Sequence, residues 1–120
     1  MDTRRQFGVG GEEKASEVLM DKGYCILDRN YRRRGGELDI VCEKEGVVVF
    51  VEVKRRKTDL FGEPFEAVDE RKRRRIVRSA RRWLYEKKLL GKCDVRFDVV
   101  SISQRGGTEE IDHIEDAFRP

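Results

Sequence analysis

The chain has 120 residues, of which 38% are hydrophobic and 42% charged; that length is expected to make one domain, residues 1–120, with a small core and a charge-dense surface. The net charge of +3 excludes a simple polycation, yet residues 53–92 hold 15 Lys/Arg against 6 Asp/Glu and leave 12 against 18 for the rest, an asymmetry that fits a polyanion partner or a solvated, salt-bridged face. The longest apolar run, Val47 to Val51, is too short to span a bilayer, and the start MDTRRQFGVGG has no apolar signal-peptide core, so a soluble, cytoplasmic protein with no membrane partner is expected.

The first periodic segment runs from about Gly11 to Lys22, with Ala15, Val18 and Leu19 on one side at helical spacing, and Gly23 stops it. Three strand-like runs follow, Tyr24 to Tyr31, Glu37 to Lys44 and Gly46 to Arg55. The basic turn Arg32 to Gly36 separates the first two, and Glu45-Gly46 makes a tight hairpin of the second and third. Residues Arg56 to Ala67, with Gly62 and Pro64, read as a loop. A long helix from about Asp69 to Leu89 carries the apolar stripe Ile76, Val77, Ala80, Trp83 and Leu84 and ends near Gly91. Asp94 to Ser103 is a strand, Ser103 to Thr108 a turn, and Glu110 to Ile114 a short last strand. The order is αβββαβ(β). A strand, a long helix and a strand predict a right-handed crossover between parallel neighbours, and the three earlier strands read as antiparallel. The fold class is α/β, a mixed sheet flanked by helices, with the third strand apolar on both faces and hence central.

Alternate residues of a strand share a face, so Val48, Phe50, Glu52 and Lys54 lie together, as do Glu37, Asp39, Val41 and Glu43 on the second strand. The hairpin puts Asp39 within about a residue of Glu52. Two carboxylates and a lysine therefore converge where the apolar strand leaves the core. Hard carboxylate oxygens suit Mg²⁺ or Mn²⁺, which activates water and neutralises charge developing on a phosphate, and a lysine can orient that water. The same spacing also fits a cross-strand ion pair at a strand end. Glu12, on the first helix's opening turn, flanks the stripe of Ala15 and Leu19 and points partly at the sheet; it equally fits an acid placed against the helix dipole.

These residues resemble the PD-(D/E)XK nuclease superfamily, whose core is αβββαβ: Asp39 on one strand, then Glu52-Val53-Lys54 on the next. More narrowly, the chain is similar to the YraN family of small bacterial proteins, for which endonuclease activity is the expectation. The match is carried by Gly11-Glu12 with Ala15, GELDIV from Gly36 to Val41, VFVEVKRR from Val49 to Arg56, RFDVV from Arg96 to Val100, the spaced Val68, Lys72, Ala80 and Leu84, and His113-Ile114 with Ala117-Phe118. Leu38 stands where the superfamily's motif has proline. The resemblance implies a restriction endonuclease-like fold. It implies Glu12, Asp39, Glu52 and Lys54 as catalytic residues, with the three acids on Mg²⁺ or Mn²⁺, as in archaeal Holliday-junction resolvases. DNA is the implied substrate, branched or flapped DNA included, and a homodimer is expected by analogy with resolvases. The alternative is a non-catalytic nucleic-acid-binding or partner-binding module that keeps the fold.

Arg32, Arg33 and Arg34 in the turn, and Arg55, Arg56 and Lys57 after the third strand, flank the acids and are assigned to the nucleic-acid backbone, with Lys72 at the edge of the helix stripe reaching inward. On a helical wheel Arg74, Arg75, Arg78 and Arg82 oppose the apolar stripe, so this larger cluster is expected to face away from the strand ends. Glu70–Arg74 and Arg82–Glu86 are spaced as ion pairs. Trp83 reads as core, His113 as structural, and Cys25, Cys42 and Cys93, odd in number and without CxxC spacing, as small core hydrophobes.

Overall fold

In a computed structural model of the chain, residues 3–57 and 68–120 are described, the side chains of residues 3–10, 56, 57 and 105 excepted. The elements follow in the order α1 (Thr3–Asp21), β1 (Cys25–Arg33), β2 (Gly36–Lys44), β3 (Val47–Lys57), α2 (Glu70–Glu86), β4 (Asp94–Arg105) and β5 (Thr108–Ile114). The expected order αβββαβ(β) is the observed one. β3 runs two residues into the stretch expected as loop, whose remainder, with Gly62 and Pro64, lies outside the described residues. β5 begins two residues earlier than expected because Gly106 and Gly107, both at positive φ, make the turn.

The sheet order is β1-β2-β3-β4-β5. β1–β2, β2–β3 and β4–β5 are antiparallel, and β3–β4 is parallel from Val47–Asp94 to Lys57–Gln104. Glu45 and Gly46, both at positive φ, close the β2–β3 hairpin with the backbone that right-twisted strands require.

β3 is buried on both faces, which is why its sequence is continuously apolar. On one face Val49 and Val51 join Ile40, Cys42, Val100, Ile102 and the Ala15 and Leu19 stripe of α1. On the other, Val48 and Phe50 meet Val41, Phe97, Val99 and the Ile76, Ala80, Trp83 and Leu84 stripe of α2. Phe50 packs edge-on to Trp83 at 5.8 Å and stacks with Phe97 at 5.6 Å. Burying each such side chain contributes about 1.5–3 kcal/mol. Trp83 is core as expected, and its indole N–H donates to Asp28 at 3.0 Å. Cys42 is buried, but Cys25 is exposed at the start of the edge strand β1 and Cys93 only half-buried, so the core reading holds for Cys42 alone. Among the described residues no helix is long and apolar enough to cross a membrane.

Candidate active site

The β2–β3 ladder ends at Ile40–Val51, and the next residues along that register are Asp39 and Glu52. There the strands part. The Val53 N–H donates to Asp39 Oδ2 at 2.8 Å, so a side chain replaces the next ladder bond. The parting has a local cause in β1. Asn30 lies mid-strand at φ +54, a left-handed conformation that Asn adopts more readily than most residues. It stands between the pairs Arg29–Ile40 and Tyr31–Leu38, hence opposite Asp39. Ile40 packs on the α1 side, whereas Tyr31 and Leu38 pack on the α2 side with Val41. Strict alternation would put Leu38 with Ile40; the kink turns it over. The shared face expected for Asp39 and Val41 is therefore interrupted at Asp39, which sits in the opening between the two layers.

Glu52 is 8% exposed. Burial first, and then the negative charge of Glu52 and a hydrogen bond with it, push Asp39 up to about 7, against the opposing effect of the Val53 N–H. Two acids held together out of water cannot both ionise cheaply. Glu12 joins from α1. Its carboxyl is raised by burial and then by Asp39, its partner is the Asn30 side chain, and its Oε2 is buried with no hydrogen-bond partner.

Positive charge arrives from α2. Asp69 is the N-cap of that helix and accepts the Lys72 N–H at 2.8 Å, the expected geometry for an Asp cap on the third helical residue. The cap fixes the first turn so that Lys72 Nζ lies 2.6 Å from Glu52 Oε1. Lys72 thus reaches inward, as its place on the wheel suggests. Lys54 is half-buried on β3, and its charge is among those that hold the Asp69 carboxyl low, after the Lys72 N–H bond.

These groups open onto a cleft of about 770 Å³ between the β1–β2 turn and the first turns of α2, whose wall includes Arg32, Arg33, Glu37, Glu52, Arg71, Lys72 and Arg75. This corrects the wheel: Arg75, expected to face away, lines the cleft, and Arg71 joins it, while Arg74, Arg78 and Arg81 line a separate surface groove with Pro120. The turn makes the difference. It lies against the helix, with Gly36 so close to Ser79 that a Cβ would collide with its hydroxyl, and with Arg82 donating to the Arg34 carbonyl at 3.3 Å. The flank of α2 becomes a cleft wall. Arg33 is partly committed elsewhere: it pairs with Glu86 at 3.1 Å and lies 4.3 Å from the Tyr31 ring centroid. Glu86 therefore serves Arg33 and Tyr31 instead of the expected partner Arg82. Arg32 pairs with Glu37 at 3.4 Å. Arg55 leaves β3 on the α1 side, its stem against Gly11, away from the cleft. The side chains of Arg56 and Lys57 lie outside the described residues.

The donor set suits a hard divalent cation: an acid pair that repels itself, and an orphaned buried carboxylate oxygen on Glu12 beside it. Among the described residues no three His, Cys, Asp or Glu side chains stand ready as a complete protein cage. That agrees with Mg²⁺, which usually keeps several waters and takes one or two carboxylates plus phosphate oxygens.

The sequence model of Uncharacterised protein family UPF0102 matches residues 11–102, which include Glu12, Asp39, Glu52, Lys54 and Lys72. The chain belongs to UPF0102. It is 46% identical over 114 residues to a UPF0102 protein of Syntrophomonas wolfei, covering 95% of this chain and 98% of the relative. It is 44% identical over 115 residues to one of Myxococcus xanthus (96% and 90%) and 42% identical over 111 residues to one of Persephonella marina (92% and 91%).

This UPF0102 chain holds a second polar cluster, on the α1 side of β4. Asp98 is fully buried and accepts from both Arg96 Nε and Nη2 at 2.8 Å and from the Asp116 N–H at 2.9 Å. His113 Nε2 lies 2.7 Å from Asp98 Oδ2, and Lys22 Nζ lies 3.0 Å from His113 Nδ1. An ammonium only donates, so Nδ1 accepts and the ring proton sits on Nε2, pointing at Asp98. Every polar group of this cluster is satisfied by another element of the fold. It ties the C-terminal residues to β4, with Ala117 N–H on the Phe97 carbonyl at 2.7 Å and Phe118 stacked on Phe97 at 5.1 Å. His113 is structural here, as expected.

Proposed function

We propose that the protein is a metal-dependent nuclease of the PD-(D/E)XK type that cleaves phosphodiester bonds in DNA, with branched and flapped duplexes among its candidate substrates. One observation carries this reading: a self-repelling acid pair, Asp39 and Glu52, at the back of a cleft otherwise walled by Arg32, Arg71, Lys72 and Arg75. A solvated charged face has no reason to hold two carboxyls together out of water, whereas a site for a divalent cation does. The αβββαβ order and the Asp39, Glu52-Val53-Lys54 spacing resemble that superfamily and support the same conclusion.

Asp39 and Glu52 would hold Mg²⁺ or Mn²⁺, with Glu12 reaching it directly or through water. The bound cation supplies a water of lowered pKa and charge neutralisation at the phosphate. The chain's own residues do the rest. Lys54 orients the attacking water, and Lys72 moves its charge from Glu52 to a phosphate oxygen. The cleft arginines hold the nucleic-acid backbone without reading sequence. The test is a panel of linear, nicked, flap and four-way DNA incubated with Mg²⁺ or Mn²⁺. Cleavage by the wild type, lost in Asp39→Ala and Glu52→Ala, is the expected result; cleavage unchanged in both variants overturns the assignment.

A second reading, a binding module without catalysis, is favoured by the ion pair of Lys72 with Glu52, since that acid already has a cation. Calorimetric titration with Mn²⁺ separates the two. Salt-dependent DNA binding with neither metal affinity nor cleavage would select the module. Sedimentation of the same preparation reads the homodimer expected by analogy with resolvases.

A further inference from the structure

Asn30 has no part in the motifs that single out the acids, yet three independent features meet at it. Its backbone is left-handed in the middle of β1, where an extended residue belongs. It lies opposite Asp39, in the position between Arg29–Ile40 and Tyr31–Leu38. Its side chain hydrogen-bonds the carboxyl of Glu12, the acid that comes from a different element and approaches the pair from α1. Glu12 has few other restraints there: Oε2 is buried without a partner, and Asp39 repels it. A carboxyl in that position turns away unless something holds it.

We infer that Asn30 is a positioning residue, which opens the strand pair at Asp39 through its backbone and aims Glu12 at the Asp39–Glu52 pair through its amide. The two jobs need different parts of the residue. The left-handed backbone reverses β1, sending Tyr31 and Leu38 to the α2 side and leaving room at Asp39. The amide donates to Glu12 and turns its orphaned oxygen toward the pair. Asn is suited to both: it tolerates positive φ better than other residues with a branched polar end, and it donates where Asp could only accept.

The catalytic part of this inference rests on the nuclease reading; the placement of Glu12 does not. Three variants separate the jobs. Asn30→Gly keeps the left-handed backbone and deletes the amide, Asn30→Asp keeps the backbone tolerance and sets a carboxylate against Glu12, and Asn30→Ala loses both. Solution NMR couplings of the Glu12 side chain read its placement with no metal present. One dominant conformer in the wild type, averaged in folded Asn30→Gly, is the expected result. The same conformer, equally ordered, in both proteins overturns the inference. Calorimetry with Mn²⁺ then reads the consequence: removing a group that orients a metal-holding carboxylate lowers affinity by roughly tenfold or more. Asn30→Asp is expected to lose most, while Asn30→Gly unfolds at nearly the wild-type temperature. Mn²⁺ affinity unchanged in Asn30→Gly also counts against the inference. A wild type that takes up no Mn²⁺ overturns the nuclease reading instead, and the NMR comparison still decides whether Asn30 places Glu12.

Discussion

Lys72 Nζ lies 2.6 Å from Glu52 Oε1, so the crossover helix brings a cation onto the acid of the central strand. Burial alone would lower the Lys72 pKa, but the hydrogen bond and charge of Glu52 outweigh it and raise it. Lys72 is half-exposed and keeps its charge at neutral pH, available to a phosphate. Lys72→Ala is expected to weaken duplex DNA binding about equally for all sequences and to reduce the salt slope by about one. Affinity measured at several salt concentrations checks this; an unchanged slope removes Lys72 from the backbone contacts.

Asp39 makes stability depend on pH with a definite sign. Its ordinary value is 3.8 and it is pushed up to about 7, so the folded chain keeps a proton that the unfolded chain has released. Its contribution is fully favourable below pH 3.8 and is lost as pH rises to about 7. Asp39→Asn keeps an acceptor for the Val53 N–H and removes the repulsion. Urea unfolding at pH 8 is expected to find this variant more stable than the wild type by about 1–3 kcal/mol, with the gap closing toward pH 5. Mn²⁺ at pH 8 is expected to stabilise the wild type and not the variant. A variant less stable than the wild type at pH 8 contradicts the acid-pair geometry.

Gly36 makes room for the wall of the cleft. A Cβ there meets Ser79 Oγ at less than contact distance, whereas Ser79 Cβ stays at 3.7 Å. Gly36→Ala is expected to cost about 1–3 kcal/mol, and Ser79→Ala, placed in the same chain, to restore much of it. Thermal unfolding of both singles and the double gives the coupling. Additive effects would mean that the turn does not press on the helix at this point.

Asp98 is the opposite kind of buried acid. Burial raises it, but Arg96, His113 and the Asp116 N–H together outweigh burial and hold it below its usual value. Its contribution is present above about pH 4 and is lost as pH falls below that, the reverse of Asp39. Asp98→Ala leaves Arg96 without its main partner and is expected to destabilise the fold by about 3–5 kcal/mol. Chemical denaturation at pH 7 measures this; a cost under about 1 kcal/mol would mean the cluster is not a structural anchor.

Most of the frame was legible in the sequence. Five consecutive apolar residues ending at Glu52 announce a covered strand that surfaces at an acid, and Glu45-Gly46 sets the hairpin register that brings Asp39 beside it. Lys72 was legible from its place at the stripe's edge. Asn30 was not, because one left-handed residue in a short polar strand leaves no trace in periodicity; an Asn interrupting an alternating run was the only signal. Arg75 was misread because a helical wheel knows the sheet and not the turn that folds over the helix flank. Arg55 was assigned by nearness in sequence to Lys54, although neighbours on a strand point to opposite faces. Asp98 stood between Phe97 and Val99 with Arg96 two residues before it, which is the same-face spacing of a partnered buried acid.

The parallel pairing of β3 with β4 also governs the order of events while the chain is made. β1, β2 and β3 are joined by short turns and can pair early, but the far side of β3 waits until residues 94–104 have been synthesised. Until then Val47 to Val51 presents an unpaired apolar edge, the kind of surface on which nascent chains stick together. The cationic run Lys54 to Lys57 follows directly on that edge, and like charges at such a flank keep copies apart. Chains ending at Lys92 are expected to aggregate, and faster when Arg55 and Lys57 are both replaced by Ser; equal light scattering from the two would free that run of any such duty. Charges that meet phosphate in the finished protein would, before it is finished, be guarding solubility.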